Sequence, residues 1–177
     1  PEHYEFLVER NKQVFDEQFA LWGNHPSLAG WYITEEFHDG SYPVGWQQEP
    51  ALSMLANYLQ TVAAYVKSES PKEVCIAPAL WRGMPADLCG KWFGKIFAQT
   101  PDIDVLYLQD IGGRCLVDFD VDLPNWFAEI KKACDANGVI FGVDIESFKE
   151  CWCPRITMRT KPWTELEEQL RVAGMFT

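Results

Sequence analysis

Acidic residues stand at the ends of three runs of this sequence that are typical of β-strands, and they are the first candidates for chemistry. Glu35 and Glu36 follow one run, Asp110 follows a second, and Glu146 closes a third. Two carboxyl groups on either side of a sugar ring can hydrolyse a glycosidic bond, because one protonates the leaving oxygen while the other attacks the sugar or activates water. A strand-end acid can also cap the next helix or form an ordinary ion pair, so the surrounding elements decide between these interpretations.

Helical and extended patterns alternate along the chain. Apolar residues three and four apart predict five helices, at 3–22, 50–68, 88–97, 123–133 and 163–170. Runs rich in β-branched and aromatic residues predict four strands, at 29–34, 73–78, 104–109 and 139–146. A weaker extended run around 155–158 precedes the last helix. This order predicts a mainly parallel sheet with right-handed helical crossovers, and hence an α/β fold.

The two faces of each predicted strand differ, and this difference bears on the type of α/β fold. A doubly wound sheet has helices on both faces, whereas a barrel strand has one face toward helices and one toward the lumen. In the last strand an aliphatic set alternates with a small or polar set: Phe141, Val143 and Ile145 against Gly142, Asp144 and Glu146. The pattern favours a (β/α)8 barrel of the TIM type, and a doubly wound parallel sheet is the alternative.

Side-chain alternation also predicts which acids share a face. Glu36, and not Glu35, lies on the face of Tyr32, and Glu146 lies on the face of Asp144. The two glutamates are three βα units apart, so a closed barrel would place them across the lumen, at the strand ends where barrel active sites lie. A carboxyl separation of about 5 Å would then give retention of configuration, and one of about 6.5 to 9.5 Å would give inversion.

The length of the chain limits how much of a barrel it can form. A complete barrel takes about 250 residues, and this chain has 177. We therefore expect residues 1–177 to form a single barrel-type domain that is incomplete at its N-terminus. If a sheet edge is exposed, pairing with a second copy and a homo-oligomer would follow.

Three ordered segments resemble the motifs of a known family: Gly30-Trp31-Tyr32-Ile33-Thr34-Glu35-Glu36, Gln109-Asp110-Ile111-Gly112-Gly113 and Val143-Asp144-Ile145-Glu146-Ser147-Phe148. They are similar to those of the glycosidase-like family called domain of unknown function 4434, over roughly residues 28–150. That family in turn resembles the clan of (β/α)8 retaining glycosidases, whose acid/base glutamate ends the fourth strand and whose nucleophile ends the seventh. The resemblance implies that this chain is the C-terminal portion of a barrel, about strands 4 to 8.

The same resemblance implies a glycoside hydrolase in which Glu36 is the general acid/base and Glu146 is the nucleophile or base. The residues that would orient these carboxyls or bind substrate are Tyr32, Gln109, Asp110 and Asp144. The clan has Asn before its acid/base, and Glu35 stands there instead, so both stereochemical outcomes stay open.

Tryptophan is over-represented, with eight in the chain. Those on the apolar stripes of predicted helices are expected in the core: Trp92, Trp126 and Trp163. Those in loops that follow strand ends are Trp46, Trp81 and Trp152. An aromatic face at such a position can stack on the apolar side of a sugar or simply close the barrel mouth, and the sequence leaves both open.

Charge and motif spacing exclude several classes of partner. With 15 Lys and Arg against 26 Asp and Glu, the net charge of −11 disfavours a nucleic acid or an anionic membrane and favours a neutral or cationic ligand such as a carbohydrate. No apolar run approaches about 20 residues, so no membrane span is expected. The Gly112-Gly113 turn is too short for a dinucleotide fingerprint, and His25 and His38 lack metal-ligand spacing, so neither cofactor nor metal is expected.

The cysteines leave two interpretations of the cellular location open. Cys75 and Cys134 lie in apolar patterns that suit buried free thiols, while an even count of six suits an oxidising, secreted or periplasmic, location.

Two other functions also stay open. A non-catalytic carbohydrate-binding barrel would use the loop tryptophans to bind a sugar without turnover. A metal-dependent sugar isomerase or lyase would use Glu36, Asp110 and Glu146 as oxygen ligands.

Overall fold

Helices and strands alternate over the residues that the computed structural model describes, which are 2–38, 49–80, 84–113, 120–151 and 157–177. The helices are α1 (Glu2–Trp22), α2 (Glu49–Glu69), α3 (Ala86–Phe97), α4 (Asp122–Asn137) and α5 (Trp163–Ala173). The strands are β1 (Gly30–Ile33), β2 (Glu73–Ile76), β3 (Val105–Gln109), β4 (Ile140–Asp144), β5 (Phe148–Cys151) and β6 (Thr157–Thr160). The predicted helices and four main strands are all present, with boundaries that shift by a few residues.

Strands β1 to β4 form one parallel sheet in the order β1-β2-β3-β4. Gly30 lies opposite Glu73, Cys75 opposite Val105, and Val105 opposite Ile140. Helix α2 lies between β1 and β2, α3 lies between β2 and β3, and α4 lies between β3 and β4. Crossovers of one hand place their helices on the same side of a sheet when the strand order never reverses. The fold is α/β, as predicted.

The sheet is covered on one face. The residues that point toward the helices are buried: Trp31, Ile33, Val74, Ile76, Leu106, Leu108 and Phe141. On the other face, Tyr32 and Tyr107 are each 44% exposed. One covered and one open face is the arrangement that the barrel interpretation predicts, because a barrel strand turns its second face to the lumen.

Aromatic side chains pack the covered face against the helices. Phe15 of α1 meets Trp31 edge-on, with ring centroids 4.8 Å apart. Trp92 is buried and Trp126 is partly buried against the core, as predicted for both. The prediction is wrong for Trp163, which is 64% exposed because it opens α5, ahead of the buried positions of that helix.

Local signals set the helix boundaries. Gly138, predicted as a left-handed stop, has a φ of 72° and ends α4. Pro50 lies in the first turn of α2, where its missing N–H removes no helical hydrogen bond. Within the described ranges, no helix combines the length and the apolarity needed to cross a membrane.

Strands β5 and β6 form a separate antiparallel hairpin between β4 and α5. Phe148 pairs with Thr160, and Cys151 pairs with Thr157. The described end of the extended run predicted around 155–158, from Thr157 onward, is therefore part of a hairpin, and its partner β5 was not predicted. All four residues of β6 are exposed, so no alternation of apolar side chains could indicate its sheet.

Cys75, Cys89 and Cys134 form no disulfide in the part of the chain that the structure describes. Cys89 and Cys134 are buried and Cys75 is half-buried, in keeping with the apolar patterns around Cys75 and Cys134. Burial raises the pKa of the Cys134 thiol to about 12, so this thiol stays protonated at neutral pH. Cys115 and Cys153 lie outside the described residues.

Candidate active site

Backbone pairing continues beyond the carboxyl ends of β1 to β3 and brings their following loops together. His38 pairs with Ala79, and Ala79 pairs with Gln109, both in parallel orientation. The Ala79 N–H donates to the Phe37 carbonyl at 3.0 Å, and the Gln109 N–H donates to the Pro78 carbonyl at 3.0 Å. The segment after β1, which carries Glu35 and Glu36, is thereby held beside the segment after β2, which in turn lies beside the end of β3.

A cavity of about 280 Å³ lies at this edge of the sheet. The side chains around it are Glu36, Phe37, His38, Ala79, Gln109, Ile111 and Glu146. Glu36 is exposed and Glu146 is half-buried. Glu35 lines a different cavity, between α1 and β1, as the two-residue alternation of a strand requires. The structure therefore brings Glu36 and Glu146 to one cavity and directs Glu35 elsewhere.

Glu146 is held by one backbone group and one side chain of the loop that follows β3. The Gly113 N–H donates to Glu146 Oε2 at 2.7 Å, and the Glu146 N–H donates to Asp110 Oδ1 at 3.1 Å. A Cβ on Gly113 would come within 2.2 Å of the Phe148 carbonyl oxygen and within 2.9 Å of Glu146 Oε2. The close approach that orients the Glu146 carboxylate thus requires glycine at position 113.

Asp110 lies behind the cavity, where it is only 2% exposed. Its Oδ1 accepts hydrogen bonds from the N–H groups of Gly112, at 3.0 Å, and Glu146. Its Oδ2 accepts one from Gln169 Nε2. Burial raises the pKa of Asp110, and the hydrogen bonds and the nearby Lys161 oppose that rise. Asp110 contacts the backbone of Glu146 and does not line the cavity.

Two residues that sequence reasoning missed complete this buried network. Gln169, on α5, is 1% exposed, and Lys161, just before α5, is 7% exposed. The Lys161 Nζ donates to Gln169 Oε1. Gln169 stands beside Val172 and Ala173 on the buried face of the helix. A polar residue on an apolar helical stripe was the signal that could have found it.

Tyr32 and Asp144 lie on the open face of the sheet, beside the cavity and outside its lining. The pKa of Tyr32 is raised by partial burial first, and then by electrostatic interaction of the ionised phenol with Glu36, Cys75 and Asp144. Tyr32 therefore presents a neutral phenol beside these acids at neutral pH.

Two further residues shape the cavity wall. The Gln109 Nε2 donates to the Ala77 carbonyl at 2.8 Å, which fixes the orientation of this side chain. Ile111 has a φ of 50°, a conformation that is unfavourable for a β-branched residue and that the surrounding structure must impose.

The predicted stacking tryptophans and the metal-ligand alternative have different outcomes in the structure. Trp46, Trp81 and Trp152 lie outside the described residues. Over the part of the chain that is described, no three His, Cys, Asp or Glu side chains are grouped so that they could hold a metal ion. A larger cavity of about 420 Å³, between α1 and α2, is lined by helical residues and lies away from the strand ends.

One solved structure shows a similar fold over almost the whole chain. It is described as a putative alpha-L-fucosidase from Bacteroides thetaiotaomicron, and it matches with a TM-score of 0.73 at 22% sequence identity. The match covers 95% of this chain and 52% of that protein, so the chain spans about half the length of its structural relative. No curated protein sequence matches this one.

The family of the chain follows from its sequence over nearly its full length. The profile of the family described as "Domain of unknown function (DUF4434)" matches residues 4–176. This match extends well beyond the three segments on which the resemblance was based, and the predicted relationship is confirmed. The chain belongs to the DUF4434 family.

Proposed function

We propose that this chain carries the active site of a glycoside hydrolase, with Glu36 as general acid/base and Glu146 as nucleophile or base. The observation that carries the proposal is that both glutamates line one cavity at the carboxyl ends of parallel strands. Paired carboxyl groups across a cleft are the arrangement that glycoside hydrolysis requires. The similarity of fold to a protein described as an alpha-L-fucosidase supports the same class of reaction.

The environments of the two carboxyls favour different roles. Glu36 is exposed and can reach a leaving-group oxygen, to which it donates its proton. Glu146 receives a hydrogen bond from the Gly113 N–H, and Asp110 holds its backbone. An oriented carboxylate suits attack on the anomeric carbon or removal of a proton from water.

The proposed reaction breaks the glycosidic C–O bond in one of two ways. In the retaining course, Glu146 forms an ester with the anomeric carbon while Glu36 protonates the departing oxygen, and Glu36 then takes a proton from the water that cleaves the ester. In the inverting course, Glu146 takes the proton from a water that attacks directly. The anomer first released from substrate, read by proton NMR, distinguishes the two.

Substrate contacts are proposed for residues around the two glutamates. Gln109 lines the cavity, and Tyr32 and Asp144 stand beside it on the open face of the sheet. Asp110 is proposed to act through the backbone of Glu146. The loop tryptophans are proposed to stack on the sugar: Trp46, Trp81 and Trp152.

The active protein is proposed to be a closed barrel of which this chain supplies one part. Tyr32 and Tyr107 are each 44% exposed and Ile140 is 56% exposed on the open face, which further βα units would cover. A structure of the complete protein should show another strand beside β1. A stable dimer of the 177-residue chain in light scattering would instead favour a second copy as the cover.

The test of the proposed chemistry uses the complete protein and a panel of aryl glycosides that includes an aryl α-L-fucoside. Glu36→Gln and Glu146→Gln should each lower kcat by about a thousandfold or more, because each removes a proton donor or a nucleophile. Glu35→Gln is the matched control, since Glu35 faces the other cavity and should retain activity.

Two outcomes would contradict the proposal. Full activity of either Glu36→Gln or Glu146→Gln would exclude that residue from the reaction. Saccharide binding in calorimetry without turnover, and undiminished in Glu146→Gln, would favour a carbohydrate-binding protein on the same scaffold.

A further inference from the structure

A chain of three buried polar side chains runs from the start of α5 to the backbone of Glu146. Lys161, Gln169 and Asp110 are 7%, 1% and 2% exposed. Lys161 donates to Gln169, Gln169 donates to Asp110, and Asp110 accepts the N–H of Glu146. The links span 51 residues of sequence between Asp110 and Lys161 and join the loop after β3 to the last helix.

Such a chain is costly to bury, and its members satisfy one another. An ammonium and a carboxylate lose their hydration inside a protein, and each must regain hydrogen bonds to compensate. The amide of Gln169 accepts from one and donates to the other, so it joins two opposite charges that are not in direct contact. At the far end, Asp110 accepts hydrogen bonds from the N–H of Gly112, in the loop after β3, and from the N–H of Glu146, which follows β4.

We propose that Lys161, acting through Gln169 and Asp110, is a positioning residue that holds Glu146 in place and supplies a positive charge that favours its ionised form. Its importance for catalysis depends on the proposed function, but its effect on the ionisation of Glu146 does not. The Lys161 ammonium lies on the far side of Asp110 from the cavity. It therefore stabilises the Glu146 carboxylate without occupying the space of a substrate.

The charged groups around these three hydrogen-bonded side chains determine whether Lys161 favours or opposes the ionisation of Glu146. Lys161 interacts electrostatically with Asp110, Glu146, Glu165 and Lys149. Lys149 and Glu165 pair with each other at 2.5 Å, so their charges largely offset. Glu36 and His38 share the cavity with Glu146. Removal of Lys161 would take away one cation that favours the ionised form of Glu146, while the carboxylates of Asp110 and Glu36 that disfavour it stay nearby.

The decisive measurement is the titration of Glu146, followed by the carboxyl-carbon NMR signal in the complete protein. Lys161→Met should raise the titration midpoint by about 1 pH unit, because it removes a nearby cation while keeping a long apolar stem. Lys161→Arg keeps a positive charge at this position and should leave the midpoint close to that of the wild type. Arg171→Met is the matched control, since Arg171 is an exposed cation on α5 that pairs with Glu168 and Asp120.

Kinetics provide a second readout that a purely structural role would not move. In Lys161→Met, the acidic limb of the pH profile of kcat/KM should move upward with the Glu146 midpoint, with kcat reduced more than KM is changed. If the protein hydrolyses no glycoside, the proposed function fails, and the NMR titration still decides the present proposal.

Two outcomes would overturn the proposal. One is an unchanged Glu146 midpoint in Lys161→Met, and the other is an equal shift in Arg171→Met. If Lys161→Met does not fold, Gln169→Met takes its place, because it breaks both links and keeps the side-chain length. Gln169→Met should shift the midpoint in the same direction, and no shift in that variant would equally overturn the proposal.

Discussion

Strand β3 is flanked by two aspartates, Asp104 at its amino end and Asp110 at its carboxyl end, and their surroundings differ. Asp104 Oδ2 lies 2.6 Å from Lys67 Nζ and accepts the Val74 N–H at 2.7 Å, with both ionic side chains partly exposed. Asp110 is buried and, among the residues that the structure describes, is linked to the cation of Lys161 through Gln169. One aspartate has a direct, local partner, and the other belongs to a network that crosses the fold.

The comparison shows that the two ends of the parallel sheet differ in what their aspartates hold in place. At the amino end, Asp104 precedes β3 and contacts Lys67 of α2 and Val74 of β2. Its interactions are local, between neighbouring elements of the sheet layer. At the carboxyl end, Asp110 holds the backbone of Glu146, whose side chain faces a cavity. In barrel folds the amino end serves stability and the carboxyl end serves chemistry, and the active site proposed for this chain would follow that division.

The largest effect on the carboxyl end is expected from Gly113→Ala. The added Cβ would meet the Phe148 carbonyl and the Glu146 carboxylate, so the loop must move and the free energy of unfolding should fall by about 3 kcal/mol or more. Urea denaturation measures this loss. Gly94→Ala is the control, since a Cβ there meets only Ala133 Cβ at 3.8 Å and should leave stability equal or higher.

A smaller effect is expected from Asp110→Asn. The new amide would oppose the Gln169 donor and leave the buried ammonium of Lys161 without its carboxylate, at a cost of about 2 to 3 kcal/mol in unfolding free energy. Hydrolytic activity, where present, should fall as well, because the Glu146 backbone loses its anchor. An Asp110→Asn protein as stable and active as the wild type would show that the network does not position the site.

The same substitution should change how stability depends on pH. Because burial raises the pKa of Asp110 above its ordinary value of 3.8, the folded state binds this proton more tightly than the unfolded chain does. The contribution of Asp110 to stability is therefore fullest below that ordinary value and is lost as pH rises through the folded-state pKa. Denaturation series across this acidic range should show the fall in the wild type and not in Asp110→Asn.

The smallest effect is expected at the amino end, from Asp104→Asn. It removes the charge that pairs with Lys67, and because both side chains are partly exposed the loss should be about 1 kcal/mol. The Val74 N–H can still donate to the amide oxygen. Activity should be unchanged, and a loss of activity comparable to that of Asp110→Asn would remove the distinction between the two ends.

Local periodicity accounts for the parts of the fold and site that were predicted. The two-residue alternation of β1 placed Glu36, and not Glu35, toward the cavity, and the alternation after β4 placed Glu146 there too. The partner strand β5 and the exposure of Trp163 were missed. In β6 every residue is exposed, and Trp163 opens its helix, so neither position carries a pattern that indicates burial.

The order of elements, the α/β class and the faces of the strands thus follow from the spacing of apolar residues along the chain, because secondary structure has a short, regular period. The hydrogen-bonded network of Lys161, Gln169 and Asp110 does not follow from this spacing. These residues belong to separate elements, and a hydrogen bond between them depends on how the last helix docks against the loop after β3. Docking is set by packing of the whole core, and it is therefore visible only in the folded molecule.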